Sequence, residues 1–168
     1  MKSVENKKIF INSNKYVYRV EHLTLEGTCS IDHGPKYVEI KNLFVDKYPV
    51  TNKQYLNFLK KTGYFPKDNQ RFLEHKPNKS IYDLPVVFVS QKDAMEYAKW
   101  AGGRLPTDEE WQYIASGPKY LEWPWGNKFN PTLCNHDGQH LVSVNVYRKG
   151  ASWCGCEDMA GNCWEWTA

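Results

Sequence analysis

The densest set of groups able to do chemistry lies in the last fourteen residues, Gly155 to Ala168. Asp158 and Glu165 supply carboxylates, Cys156 and Cys163 supply thiols, and Trp164 and Trp166 supply large rings. Gly161-Asn162 between hydrophobic flanks predicts a tight turn that needs positive φ. If the chain runs extended after that turn, Trp164 and Trp166 share one face and Glu165 points to the other. Asp158 stands just before the turn and Glu165 just after it, so the two carboxylates can converge. With the turn carbonyls between them they would form an oxygen-rich pocket of the kind Ca²⁺ prefers. The same pair also fits two solvated carboxylates on a turn. As an acid–base dyad it lacks a third positioned group.

Other candidate groups are weaker. Cys154, Cys156 and Cys163 have no structural-zinc spacing and sit among tryptophans, which predicts buried, inert thiols. His136 and His140 lie four apart near Cys134, in a loop-like stretch, while His22, His33 and His75 are scattered. There is no Gly-rich phosphate loop, no Gly-x-Ser-x-Gly elbow and no His-Glu-x-x-His helix.

The elements that must position these groups are short. Residues 1–35 read as irregular, with a strand at Ile9-Phe10-Ile11 or from Tyr16 to Val20. Alternation from Tyr37 to Val45 predicts one or two half-buried strands. Thr51 is placed to cap a helix through Thr62, with Tyr55, Phe58 and Leu59 on one face and Gly63 as its stop. Tyr64 to Asp83 has no period and reads as a long loop. Leu84 to Val89 reads as a short buried strand. Ser90 with Asp93 opens a second helix, whose Ala94, Ala98 and Ala101 form a small-residue face. Thr107-Asp108-Glu109-Glu110 is a full capping box for a third helix that buries Trp111, Ile114 and Ala115. Beyond Pro118 the helical period vanishes, leaving Trp123-Pro124-Trp125-Gly126-Asn127 and one alternating piece, Leu141–Val146. This layout is an α+β organisation.

Bulk properties narrow the function classes. The 168 residues suit one domain, and 15% aromatic content suits a loop-rich interior filled by rings. A net charge of +3 without a basic block argues against nucleic acid. No apolar run reaches membrane-spanning length and no signal-peptide core is visible, so the expectation is a cytoplasmic protein without a membrane partner. Five cysteines, an odd count, predict free thiols over a disulfide framework.

Several segments together resemble the formylglycine-generating enzyme, or sulfatase-modifying factor, family. They are Phe44-Val45-Asp46-Lys47-Tyr48-Pro49-Val50-Thr51-Asn52-Lys53-Gln54-Tyr55 with Phe58, then Leu84–Ser90 with Asp93-Ala94. Next come Trp100-Ala101-Gly102-Gly103-Arg104-Leu105-Pro106-Thr107-Asp108-Glu109-Glu110-Trp111, then Pro124-Trp125-Gly126-Asn127, and last Asp158–Thr167. The resemblance implies a loop-rich variant of the C-type-lectin-like fold. It divides the chain into an N-terminal segment, 1–35, and a family domain, 36–168, incomplete at its C-terminus.

The enzymatic branch of that family converts a cysteine in a Cys-x-Pro-x-Arg motif of a sulfatase to formylglycine, using O₂ and copper held by two cysteines. Other branches make sulfoxides or serve as noncatalytic domains. The resemblance places a calcium site on Asp158, Gly161, Cys163 and Glu165, the middle two through carbonyls. It starts a second at Asn135 and the His136 carbonyl, whose later ligands have no clear match. Trp164 corresponds to a tryptophan near the active-site groove, or else is a core ring. The copper pair lies beyond Trp-Glu-Trp-Thr in the family pattern, and Cys154, Cys156 and Cys163 do not match it. Gln91 replaces a common family tryptophan. The implied function is part of a formylglycine-generating oxidase, inactive as this chain alone and completed by a longer product or a second chain. The alternative is a noncatalytic lectin-like binding module.

Overall fold

The computed structural model describes residues 7–19, 25–26, 29–30, 35–66, 78–136 and 138–168. His22, His33 and His75 and the middle of the expected long loop, residues 67–77, lie outside them.

Both candidate strands near the N-terminus form, and each pairs with one arm of the alternating stretch after residue 35. β1 (Lys8–Ile11) is antiparallel to β6 (Leu43–Asp46), and β2 (Asn14–Tyr18) is antiparallel to β5 (Lys36–Ile40). The two ladders keep one register, Ile11 opposite Leu43 and Asn14 opposite Ile40, so together they make a single long ribbon with a matched break. At that break Ser13 N–H donates to the Asn42 side chain at 2.6 Å, which replaces the missing ladder bond. Two further short strands, β3 (Leu25–Glu26) and β4 (Cys29–Ser30), pair with each other. Period-two alternation sends Ile11, Tyr16 and Ile40 into the core while Phe10, Phe44 and Tyr37 stay exposed.

Among the described residues three α-helices follow, and all three carry reciprocal capping boxes. α1 (Asn52–Thr62) is capped by Thr51 with Gln54, and Gly63 closes it in the left-handed conformation. α2 (Gln91–Trp100) is capped by Ser90 with Asp93, and α3 (Asp108–Ser116) by Thr107 with Glu110. Each box satisfies two amide donors that a helix start would leave unpaired. Tyr55 and Phe58 of α1 pack with Tyr97 of α2 into one aromatic cluster. α3 lies on the ribbon: Tyr113, Ile114 and Ala115 join Ile11, Tyr16, Ile40, Cys156 and Met159 in the main core. Tyr16 is fixed there by hydrogen bonds to Gln112 at 2.9 Å and Ser116 at 2.8 Å, and stacks on Tyr120.

Three expectations are corrected. Leu84–Val89 is no strand beyond an isolated bridge from Pro85 to Thr51, because proline offers no ladder donor and Phe88 turns the chain at φ 60°. The buried side of α2 is Asp93 and Tyr97, not the alanine row. Leu141–Val146 is irregular; Val144 is fully buried and its N–H donates to the Asp83 carbonyl at 3.1 Å. The result is a loop-rich α+β fold of short antiparallel strands and short helices.

Candidate functional site

The site is built on the turn Asp158–Cys163. Asp158, Gly161 and Asn162 all adopt positive φ, at 60°, 82° and 63°. For Asp and Asn this is a tolerated left-handed turn. Gly161 is required on a second count, since a Cβ there would overlap the Asn135 carbonyl oxygen. Asn162 N–H donates to that same carbonyl at 3.0 Å.

The Asn162 side chain is the hub. Its amide nitrogen donates to the Val142 carbonyl at 3.1 Å and to the Asp158 carboxylate at 3.0 Å. Its amide oxygen accepts from Val142 N–H at 3.1 Å and from the Asn135 side chain at 3.3 Å. Asn135 also donates to the His140 carbonyl at 2.8 Å. One asparagine therefore ties together three loops that have no regular structure of their own. Its ability to act as donor and acceptor at once is what the position uses. The signal was in the sequence as Gly-Asn, but it read as a turn and not as a hub.

Of the expected calcium ligands, Asp158 and Glu165 do influence one another, although they play different parts. Asp158 is buried beside Glu157, and burial pushes its carboxyl up to about 6. Glu165 accepts from the Trp111 indole N–H of α3 at 2.5 Å. Burial, with a smaller contribution from the charge of Asp158, pushes it up to about 7. Cys163 is raised to about 12, first by burial and then by these two acids. The Gly161 carbonyl accepts from Cys163 N–H at 2.9 Å, which leaves it one lone pair. Buried Asp158 and half-buried Glu165, beside the turn carbonyls, form a hard-oxygen donor set, the chemistry calcium takes. Among the described residues no three His, Cys, Asp or Glu side chains converge on a metal position, so such a site would need the backbone carbonyls.

Asn135, expected in a second site, belongs structurally to the first turn. The His136 ring lies edge-on to Phe129, 5.7 Å between centroids.

The segment after the turn is pinned, although it is no strand. Trp166 indole N–H donates to the Val89 carbonyl at 2.9 Å, Gln91 donates to the Thr167 carbonyl at 2.7 Å, and Ala168 N–H donates to the Pro106 carbonyl at 2.9 Å. Gln91, which departs from the family residue, thus has a bonding role that its type alone did not reveal. Trp164 stands between the turn and these anchors, with its side chain fully exposed.

Cys134, Cys154, Cys156 and Cys163 are free thiols, and Cys134 is buried. Cys154 and Cys156 bring their sulfurs to 3.7 Å of each other. No helix among the described residues is long and apolar enough to cross a membrane.

Comparison with known proteins agrees with this geometry. Residues 5–168 match the family described as the sulfatase-modifying factor enzyme 1-like domain. The "Inactive C-alpha-formylglycine-generating enzyme 2" of Bos taurus is 44% identical over 100 residues, covering 51% of this chain and 33% of that protein. The "Formylglycine-generating enzyme" of Thermomonospora curvata is 32% identical over 192 residues, covering 80% of this chain and 62% of that protein. The chain therefore spans between a third and two thirds of these relatives' length. The solved structure of PvdO from Pseudomonas aeruginosa superposes with a TM-score of 0.67 at 21% identity, covering 96% of this chain and 69% of the other. That likeness extends to the fold. With a family model matching nearly its whole length, the chain belongs to the sulfatase-modifying factor family of formylglycine-generating-enzyme-like domains.

Proposed function

We propose that this chain is the scaffold and substrate-facing part of a formylglycine-generating-type oxidase, whose copper-binding thiols come from residues outside it. The observation that carries the reading is the pinned terminal segment. Glu165, Trp166, Thr167 and Ala168 are each tied to the body, and Trp164 just before them is presented fully to solvent. An aromatic ring held out on a pinned segment suits contact with a peptide. The peptide class the family suggests is one with a Cys-x-Pro-x-Arg motif. The complement would be a further segment of a longer product or a second chain. Calcium is the structural ion of this reading, held by Asp158, Glu165 and the carbonyls of Gly161 and Cys163. Its chemistry is charge compensation at the turn, not a step of the reaction.

The second reading is a noncatalytic binding module of the same family. The name of the bovine relative, an inactive enzyme, favours it. One experiment separates the two. The chain is assayed with Cu⁺, O₂ and a Cys-x-Pro-x-Arg peptide, alone and fused to the C-terminal segment of the Thermomonospora curvata enzyme. The oxidase reading expects no formylglycine from the chain alone, formylglycine from the fusion, and loss of that gain with Trp164→Ala. Turnover by the chain alone overturns the scaffold assignment. A folded fusion that binds the peptide without converting it transfers the assignment to the binding module.

A further inference from the structure

Away from the terminal turn, the ribbon and α3 enclose a cleft of about 300 Å³ lined by residues 9–14, Tyr113, Trp153 and Cys154. Its walls combine the apolar Ile9, Ile11 and Trp153 with the polar Asn12, Ser13 and Asn14. A thiol forms part of that lining. Cys154 is partly buried, and its partner Cys156, 1% exposed, lies behind it with the sulfurs 3.7 Å apart. The intervening Gly155 has φ 96°, which folds the Cys-x-Cys link within the turn closed by Ser152 N–H donating to Cys156 O at 2.8 Å. The Ser152 hydroxyl is 3.3 Å from the Cys154 sulfur and can donate to it. Each sulfur also faces a backbone carbonyl, Cys154 that of Ile114 at 3.7 Å and Cys156 that of Asp46 at 3.9 Å, so the two differ in access to the cleft and not in their acceptors.

We propose that Cys154 and Cys156 form a thiol–disulfide exchange site that takes a low-molecular-weight disulfide through this cleft, Cys154 as the attacking thiol and Cys156 as the resolving one. In the first step the Cys154 thiolate attacks one sulfur of the small disulfide. A mixed disulfide forms, the small S–S bond breaks, and one small thiol leaves with the proton that Cys154 released. In the second step Cys156 gives its proton to solvent and its sulfur attacks that of Cys154. The mixed bond breaks, the second small thiol leaves protonated, and the Cys154–Cys156 disulfide closes. The two protein thiols lose two electrons, and the small disulfide gains them.

The asymmetry of the pair sets the order. Contact with the Cys156 thiol and the Ser152 hydroxyl favours the thiolate at Cys154, pulling it down to about 6 against burial, whereas Cys156 is set back from the cleft at 1% exposed. Access and thiolate character together select the attacking group. Cys134 is buried, and neither it nor Cys163 lines the cleft.

The test uses the reduced full chain in a Cys29→Ser background, incubated with oxidised glutathione at pH 7 and read by peptide mass mapping. The peptide holding Cys154 and Cys156 should lose two hydrogens. Cys156→Ser should stop at a glutathione adduct on Cys154, and Cys154→Ser should give neither adduct nor closure. Wild-type protein treated briefly with iodoacetamide should be alkylated at Cys154 first, at least tenfold faster than at Cys134, which decides the question even if a serine variant does not fold. Equal or faster labelling of Cys134 or Cys163 overturns the site. So does an adduct on Cys156 in Cys154→Ser forming as fast as on Cys154, or a native chain that resists glutathione while the unfolded chain reacts.

Discussion

Glu110 and Glu165 are both acids withdrawn from water, and they are treated in opposite ways. Glu110 sits in the capping box of α3 and accepts from Thr107 N–H at 3.0 Å. Arg104 grips it with two parallel bonds of 2.6 and 2.7 Å. Those Arg104 bonds hold its carboxyl below the ordinary carboxylate range, more than offsetting burial. Glu165 receives one indole N–H and has another acid, Asp158, within electrostatic reach, so burial wins and its carboxyl rises to about 7. Glu110 is completed by Thr107 and Arg104, close by in sequence and one of them a cation. At the terminal turn Asp158 and Glu165 each accept from a neutral donor and lie within electrostatic reach of one another, and that is the electrostatic ground for placing a cation there.

The largest effect expected from disturbing this contrast is at the turn's backbone. Gly161→Ala forces a Cβ into the Asn135 carbonyl at a positive φ and should cost about 3–5 kcal/mol, read by urea unfolding. A loss under 1 kcal/mol, on the order of an ordinary Gly→Ala change, would mean the turn relaxes and that Asn135 is not its seat.

A smaller effect separates the two acids. Glu110→Ala removes the box and the Arg104 fork and should cost about 1–2 kcal/mol, discounted because Arg104 is well exposed. Glu110→Gln keeps a capping acceptor and should recover about half of that. Without calcium at neutral pH, Glu165→Gln should be neutral or stabilising, since it removes an underpaired charge while keeping an oxygen for Trp111. Equal losses at both positions would erase the distinction.

The helical region was legible because its signals are local. Thr51, Ser90 and Thr107 each place a partner three residues on, and that spacing alone specifies the cap geometry. The ribbon was half legible: the alternation of Tyr37–Val45 was visible, but its pairing with residues 8–18 is a long-range fact that no window contains. Leu84–Val89 misled because a short apolar run does not distinguish a strand from a buried loop once Pro85 interrupts the ladder. In the terminal region, period two set Glu165 on the face opposite Trp164 and Trp166, but not which face turns inward. The hub at Asn162, the Gln91 tie and the Cys154–Cys156 approach depend on contacts between loops, with only the Cys-x-Cys spacing as a local hint.

The most direct test is stability against pH with and without calcium. Asp158 and Glu165 bind a proton more tightly in the fold than in the unfolded chain, rising from 3.8 to about 6 and from 4.5 to about 7. An acid whose native value is raised destabilises the fold once it ionises. In chelator, then, stability should be greatest at the acid end of that window and fall as pH climbs through it. Glu110 has the opposite sign: its contribution is present above its ordinary value and is lost only in stronger acid. Calcium at a hundredfold excess over its Kd should restore about 2.7 kcal/mol at neutral pH, and Asp158→Asn and Glu165→Gln should each abolish most of that gain. Superimposable pH curves with calcium and with chelator would contradict the account of the turn as a cation-held joint.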